Sequence, residues 1–200
     1  MTYQLTEEEI NKILNTEGEV RGVVFKTDRR FIIDTSGEEG MKKVEEELQK
    51  MKCPFNYEEE ADNMSFYPIG MRALSIVAVS RALNLSVEEV VRMGANAPKF
   101  SLMIKLFMRY FLSPEKIMEK AGEMWEKHYT VGRLEPIEMN KEEKMLKARL
   151  HDINLHPALC DYLRGYFSSV IEMGVGGEVN CEETKCIHRG DEYHEFIVRW

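Results

Sequence analysis

The 200-residue sequence predicts a mixed α/β fold of the α+β type. In it an N-terminal helix layer packs on an antiparallel sheet formed by a β-β-α-β-β C-terminal half. Three observations predict this. Apolar residues at helical spacing dominate up to Tyr129. Beyond Tyr129, glycines and alternating patterns replace them. Two hairpin patterns in that second part flank one long apolar helix, so both hairpins can join a single sheet with one face against helices.

Taken in order, Thr6-x-x-Glu9 is a capping box followed by Ile10, Ile13 and Leu14, which predicts a helix near residues 7–15. Val20-Arg-Gly-Val-Val-Phe25 is β-branched and reads as a short strand. Residues 28–34 fit strand or helix. Met41, Val44, Leu48 and Met51 form one stripe, so 40–52 reads as helix, ended by Cys53-Pro54. The acidic run 58–62 reads as a solvated loop. Pro68 opens a helix through Leu83, and Ser86-x-x-Glu89 caps another that Pro98 breaks near Ala97. Phe100–Leu112 follows as an apolar helix. Ser113-Pro114 starts the next, which carries Ile117, Met118, Ala121, Met124 and Trp125.

In the second part, Arg133–Met139 and Lys144–Asp152 read as strands joined at 140–143. Met145, Lys147 and Arg149 alternate there with Leu146, Ala148 and Leu150. Pro157 begins a helix that Gly174, Gly176 and Gly177 stop. Glu178–His188 and Glu192–Trp200 form the second hairpin around Arg189-Gly190-Asp191. The whole reads as one domain over 1–200, with 1–66 as an N-terminal extension or subdomain and 67–200 as the core.

Apolar residues make up 44% of the chain, enough for a packed core and too many for a disordered segment. The net charge is −8, and no basic stripe interrupts it, which argues against nucleic acid as a partner. The polar, acidic start is unlike a signal peptide, and Arg72 and Arg81 cut the longest apolar stretch, so no membrane span is expected. A cytoplasmic location follows as the expectation, with Cys53, Cys160, Cys181 and Cys186 reduced.

Cys181, Cys186, His188 and His194 form a C-x4-C-x-H-x5-H cluster, ligand types that zinc uses. If the hairpin turn has three residues, Cys186 faces His194 and all four side chains share one side; with a two-residue turn they do not. A buried cysteine opposite a hydrogen-bonded histidine is the alternative. His156, with Cys160 four residues on, reads as a capping histidine. His128, beside Trp125 and Tyr129, reads as a packed ring, and haem ligation through it ranks below zinc. No GxSxG elbow, P-loop, dinucleotide fingerprint or HExxH is present, so no enzyme is expected.

The last hairpin, with Cys186, Gly190, Asp191, Tyr193, Glu195 and Phe196, resembles the 4-vinyl reductase domain family. His194 departs from it, standing where the family often has cysteine. The resemblance covers roughly residues 100–200. Residues from Val20 to Pro68 resemble a myxobacterial family of unknown function. Both sit in a wider group with haem-NO-binding-like sensor domains and TRAPP vesicle-tethering subunits.

That resemblance implies a helix layer on an antiparallel sheet and a buried apolar channel for a hydrophobic or tetrapyrrole-like ligand. Pattern alone gives the aromatic and methionine residues an ordinary core role. With the resemblance, Phe107, Phe111, Trp125 and Tyr129 become pocket residues, with Arg133, Tyr166 or Arg109 as anchors for a polar group. The reductase activity in the family's name is not carried over, because no catalytic motif accompanies it. A tetrapyrrole-processing reductase and a TRAPP-like interaction module remain the alternatives. A homodimer through an exposed helix face rich in Met, Phe and Leu is expected.

Overall fold

The computed structural model describes residues 3–57, 61–100 and 113–200. Helix α1 (Glu7–Leu14) begins at its capping box, where the Thr6 N–H donates to the Glu9 carboxylate at 2.7 Å and the Glu9 N–H donates to the Thr6 hydroxyl at 3.2 Å. Strand β1 (Glu19–Arg21) leads into α2 (Val23–Lys50). The strand expected over Val20–Phe25 is thus cut to three residues. Val23, Val24 and Phe25 are helical despite their β-branched or aromatic side chains. Phe25 stacks on Phe55 with ring centroids 4.0 Å apart, and such burial outweighs a small local propensity. Residues 28–34 are helical too. The long helix kinks at Gly37, whose φ of 61° and ψ of −165° lie in a region essentially confined to glycine.

Strand β2 (Phe66–Pro68), which no alternation announces, pairs antiparallel with β1, Val20 opposite Tyr67. Helix α3 (Ile69–Ala82) is buried on nearly every side. Helix α4 (Val87–Phe100) starts at the Ser86–Glu89 box and continues through Pro98 instead of stopping before it. Pro98 removes one intrahelical bond near the helix end, and burial of Ala97 and Pro98 holds the turn in place. Beyond Phe100, the apolar helix expected to Leu112 lies outside the described residues. Helix α5 (Pro114–Glu126) is capped by Ser113.

The C-terminal half has the expected order: β3 (Arg133–Asn140), β4 (Met145–His151), α6 (Pro157–Val175), β5 (Asn180–Lys185) and β6 (His194–Arg199). The sheet runs β3-β4-β6-β5, all antiparallel, so the two hairpins join through β4 and β6. Leu146, Ala148 and Leu150 of β4 sit opposite Val198, Phe196 and His194 of β6 and turn toward the helices. Lys147 and Arg149 turn outward, Arg149 to Glu195 at 2.9 Å. The second hairpin closes neither by two residues nor by three: its last pair is Lys185 with Glu195, and a 3-10 turn (Ile187–Arg189) lies in the segment between. Both edge strands, β3 and β5, carry a register shift, which bends an edge away from further pairing.

Two features lock the helices. A Cβ at Gly94 of α4 would run into the Tyr162 carbonyl of α6, and one at Gly165 into the Val91 carbonyl, so the two backbones touch. Asp28 of α2 and Arg72 of α3 form an ion pair at 1% and 0% exposure. The Arg72 guanidinium lies 4.3 Å above the Tyr162 ring, and Tyr57 donates to Asp28 at 3.4 Å. Buried side chains from Ile13 to Val198 form one contiguous core. Among the described residues no helix is long and apolar enough to cross a membrane. The large apolar side chains they expose, Met64, Phe66, Phe100 and Ile137, do not share one helix face.

Removing one partner of the buried pair strands the other charge. Arg72→Met is therefore expected to cost about 3–5 kcal/mol in urea denaturation. The double variant Asp28→Leu/Arg72→Met should recover part of that loss, and an equal or greater loss would contradict this account of the pair.

Candidate functional site

A cavity of about 110 Å³ lies between the start of α2, helices α5 and α6 and the inner face of the sheet. Val24 and Thr27 come from α2, Trp125 from α5, Tyr129 from the turn after it, Leu134, Ala148 and Phe196 from the sheet, and Tyr166 from α6. Trp125 and Tyr129 stack with centroids 4.1 Å apart, and Trp125 Nε1 donates to the Val131 carbonyl at 3.0 Å. The indole thus turns its polar edge into the backbone and leaves apolar surface to the cavity. His128 also lines it, with Nδ1 2.9 Å from the Met124 carbonyl. Burial lowers the pKa of the His128 ring, so the ring is neutral near pH 7.

Three of the residues expected at a pocket, Trp125, Tyr129 and Tyr166, meet at this cavity. Arg133 does not line it; it is exposed and paired with Glu135 at 3.3 Å. Phe107, Phe111 and Arg109 lie outside the described residues. Val23, Thr27 and His128 join the lining. Nothing in the local pattern marks the two from α2, because the chain brings them there only after folding.

The second cluster joins Cys160 of α6, Glu183 of β5, Cys186 just beyond β5 and His194 of β6, whose ligating atoms all lie within 4.8 Å of one another. The Cys160 Sγ is 3.9 Å from the Cys186 Sγ and 3.6 Å from His194 Nδ1, and that nitrogen is 2.9 Å from Glu183 Oε1. A tetrahedral zinc ion with ordinary bond lengths has sulfur–sulfur edges of about 3.8 Å and sulfur–nitrogen edges of about 3.6 Å. The His194 Nε2 lies 3.0 Å from the Ile153 carbonyl, which can only accept. The proton therefore sits on Nε2, and Nδ1 either pairs with Glu183 as an imidazolium or presents its lone pair to a cation. The Cys186 thiol is pulled down to about 7, chiefly by the hydrogen bond from Cys160, whose own thiol is pushed up.

Cys186 and His194, expected as ligands, are in this cluster. Cys181 is not: it packs in the core two residues before Glu183, and burial pushes its thiol up to about 12. His188 sits in the 3-10 turn with its ring 5.7 Å from that of His194. Cys160 and Glu183 are the members that the sequence pattern does not single out as ligands. Strict alternation from Cys181 and Glu183 would turn Cys186 outward. The register shift between Glu183 and Lys185 adds one residue and brings it back in. The Glu-x-x-Cys spacing is the visible signal.

All four of these residues fall in the C-terminal part of the chain, and three of them in its last hairpin. Residues 139–200 match the 4-vinyl reductase domain. That domain segment also supplies Leu146, Ala148, Tyr166 and Phe196 to the cavity. A protein of Methanocaldococcus jannaschii, itself uncharacterized, is 29% identical over 94 residues, 44% of this chain. The chain spans 54% of that relative's length. By fold, the chain with its 4-vinyl reductase domain resembles H-NOX proteins. An S. oneidensis H-NOX protein in the Fe(II)NO state aligns at a TM-score of 0.67 and 12% identity, over 90% of this chain and 98% of that one. An unliganded Fe(II) H-NOX protein from K. algicida aligns at 0.62 and 12%, over 90% and 95%. At such identities the likeness shows the fold.

Ala148 lines the cavity from the centre of the sheet. Ala148→Leu should fill part of it and raise stability by about 0.5–2 kcal/mol in thermal or urea unfolding. A clear loss of stability would mean that the space is already packed.

Proposed function

We propose that this chain is a small-molecule binding or sensor domain whose apolar cavity takes a hydrophobic ligand, and that it works by binding and not by catalysis. The observation that carries this is the cavity itself, roofed by Trp125, Tyr129 and Tyr166 and floored by the sheet. Voids in native cores are few and small, because an empty apolar space forfeits contacts on every wall. At about 110 Å³, it is somewhat below the roughly 150 Å³ of an engineered apolar cavity that binds benzene. The ligand is thus about the size of one small ring.

That size argues against the tetrapyrrole-like ligand expected from the resemblance. Haem belongs to the fold relatives: one of them, aligning at a TM-score of 0.56, is described by its haem redox potential and porphyrin distortion. Here the lining does not fit that group. The volume is far too small for a macrocycle, and no Lys or Arg among the described lining residues could pair with its carboxylates. His128 alone does not make a haem site.

The second cluster supports a metal. Two cysteines, a histidine and a glutamate, largely buried and from three elements, form a closed four-ligand set of the type that holds structural zinc. Zinc there clamps α6 to the terminal hairpin, with the Ile153 carbonyl fixing the His194 ring.

Two measurements test these readings. Benzene and methylcyclopentane at saturation should raise the melting temperature of the protein and leave Ala148→Leu unmoved, because only binding to the native state stabilises it. No shift in the wild type, or equal shifts in both proteins, would overturn the cavity reading. Elemental analysis should find about one zinc per chain, lost in Cys160→Ser, with a chelator lowering the melting temperature. Protein free of zinc after purification in zinc-supplemented medium would overturn the metal reading.

A further inference from the structure

The geometry points to His128 as the residue that selects the ligand, by accepting a hydrogen bond from a hydroxyl carried on a small neutral apolar body. This rests on the cavity reading and adds to it a chemical class.

The argument is a count of what each polar lining group has left to give. Thr27 donates its hydroxyl to the Val24 carbonyl at 2.8 Å. Trp125 has spent its N–H on Val131. Tyr129 and Tyr162 are engaged with Arg72 and Asp28. Tyr166 adds a phenol that burial keeps protonated. His128 differs from all of these. Its Nδ1 faces the Met124 carbonyl, which accepts only, so Nδ1 must carry the proton. In the neutral ring Nε2 is then a bare acceptor, and it is what His128 has left to offer the cavity. The residue is 8% exposed, so solvent contributes little to satisfying it.

A buried acceptor without a partner costs free energy, and a ligand that supplies the donor recovers it. The same physics makes a polar site discriminate strongly against an analogue that lacks the matching group. An anion is disfavoured, because the described lining offers no Lys or Arg to pair with it. A neutral alcohol on a ring of about five carbons meets all three conditions of size, polarity and charge.

The test uses three probes of nearly equal shape on the intact protein: cyclopentanol, which donates; cyclopentanone, which only accepts; and methylcyclopentane, which does neither. Calorimetry should give cyclopentanol about tenfold tighter binding than methylcyclopentane, with cyclopentanone no better than the hydrocarbon. In His128→Phe the ratio of alcohol to hydrocarbon affinity should fall to about one. Should that variant fail to fold, the wild-type ranking alone decides. Equal binding of alcohol and hydrocarbon, or a preference for the ketone, overturns the role of His128 and leaves the cavity reading standing. No binding by any probe overturns both.

Discussion

The arrangement depends on one buried ion pair. Asp28 and Arg72 are sealed from solvent where α2, α3 and α6 meet, and withdrawing two charges from water costs several kcal/mol apiece. That cost is met only if the surroundings are fixed. Arg72 makes its bond to Asp28 through Nη1 and rests on the face of Tyr162, while Nε and Nη2 have no hydrogen-bond partner among the described residues. The guanidinium is thus held by a charge on one helix and an aromatic ring on another. A shift of any of the three helices would break the compensation, so the pair sets their spacing as well as their contact. Tyr162 is also a wall of the cavity, and in this way an interaction sealed from solvent fixes one side of a binding space.

The same helix, α6, is held twice more. Near its middle, Gly94 and Gly165 let α4 come into backbone contact. At its first turn, Cys160 reaches the Glu183–Cys186–His194 group on the terminal hairpin. Held at those points, α6 cannot settle further onto the sheet, and the large side chains of its remaining face, Tyr166 and Phe167, prop it away. A cavity persists where close packing on one side and bulky aromatics on the other leave volumes that no rotamer fills.

Much of the architecture was legible because it rests on local signals. The capping boxes at Thr6 and Ser86, the Ser113-Pro114 start and the alternation of β4 each report a bond made within a few residues. The differences have one physical source. Val23–Phe25 is helical because of what it packs against, and Pro98 stays in a helix because its turn is buried in the fold; neither cause is near in sequence. The candidate sites follow the same division. Trp125, Tyr129 and Tyr166 stood out as aromatics on or beside apolar helix faces, and Cys186 and His194 as a metal-type pair. Cys160 and Glu183 required the register shift in β5, a one-residue insertion that alternation alone does not reveal.

That shift also explains why the cluster and the cavity are neighbours. Leu163 and Phe196 line the cavity, and the same two residues line a small gap of about 10 Å³ beside Cys160 and His194. Phe196 stands two positions from His194 on β6, and Leu163 three positions from Cys160 on α6. Whatever fixes the spacing of Cys160 and His194 therefore fixes the spacing of Leu163 and Phe196, since each pair is joined through rigid secondary structure. In a close-packed interior such a displacement is transmitted and not absorbed. A clamp at the cluster and a molecule in the cavity act on the same two side chains from opposite sides, and linkage requires that each alter the affinity of the other by the same factor.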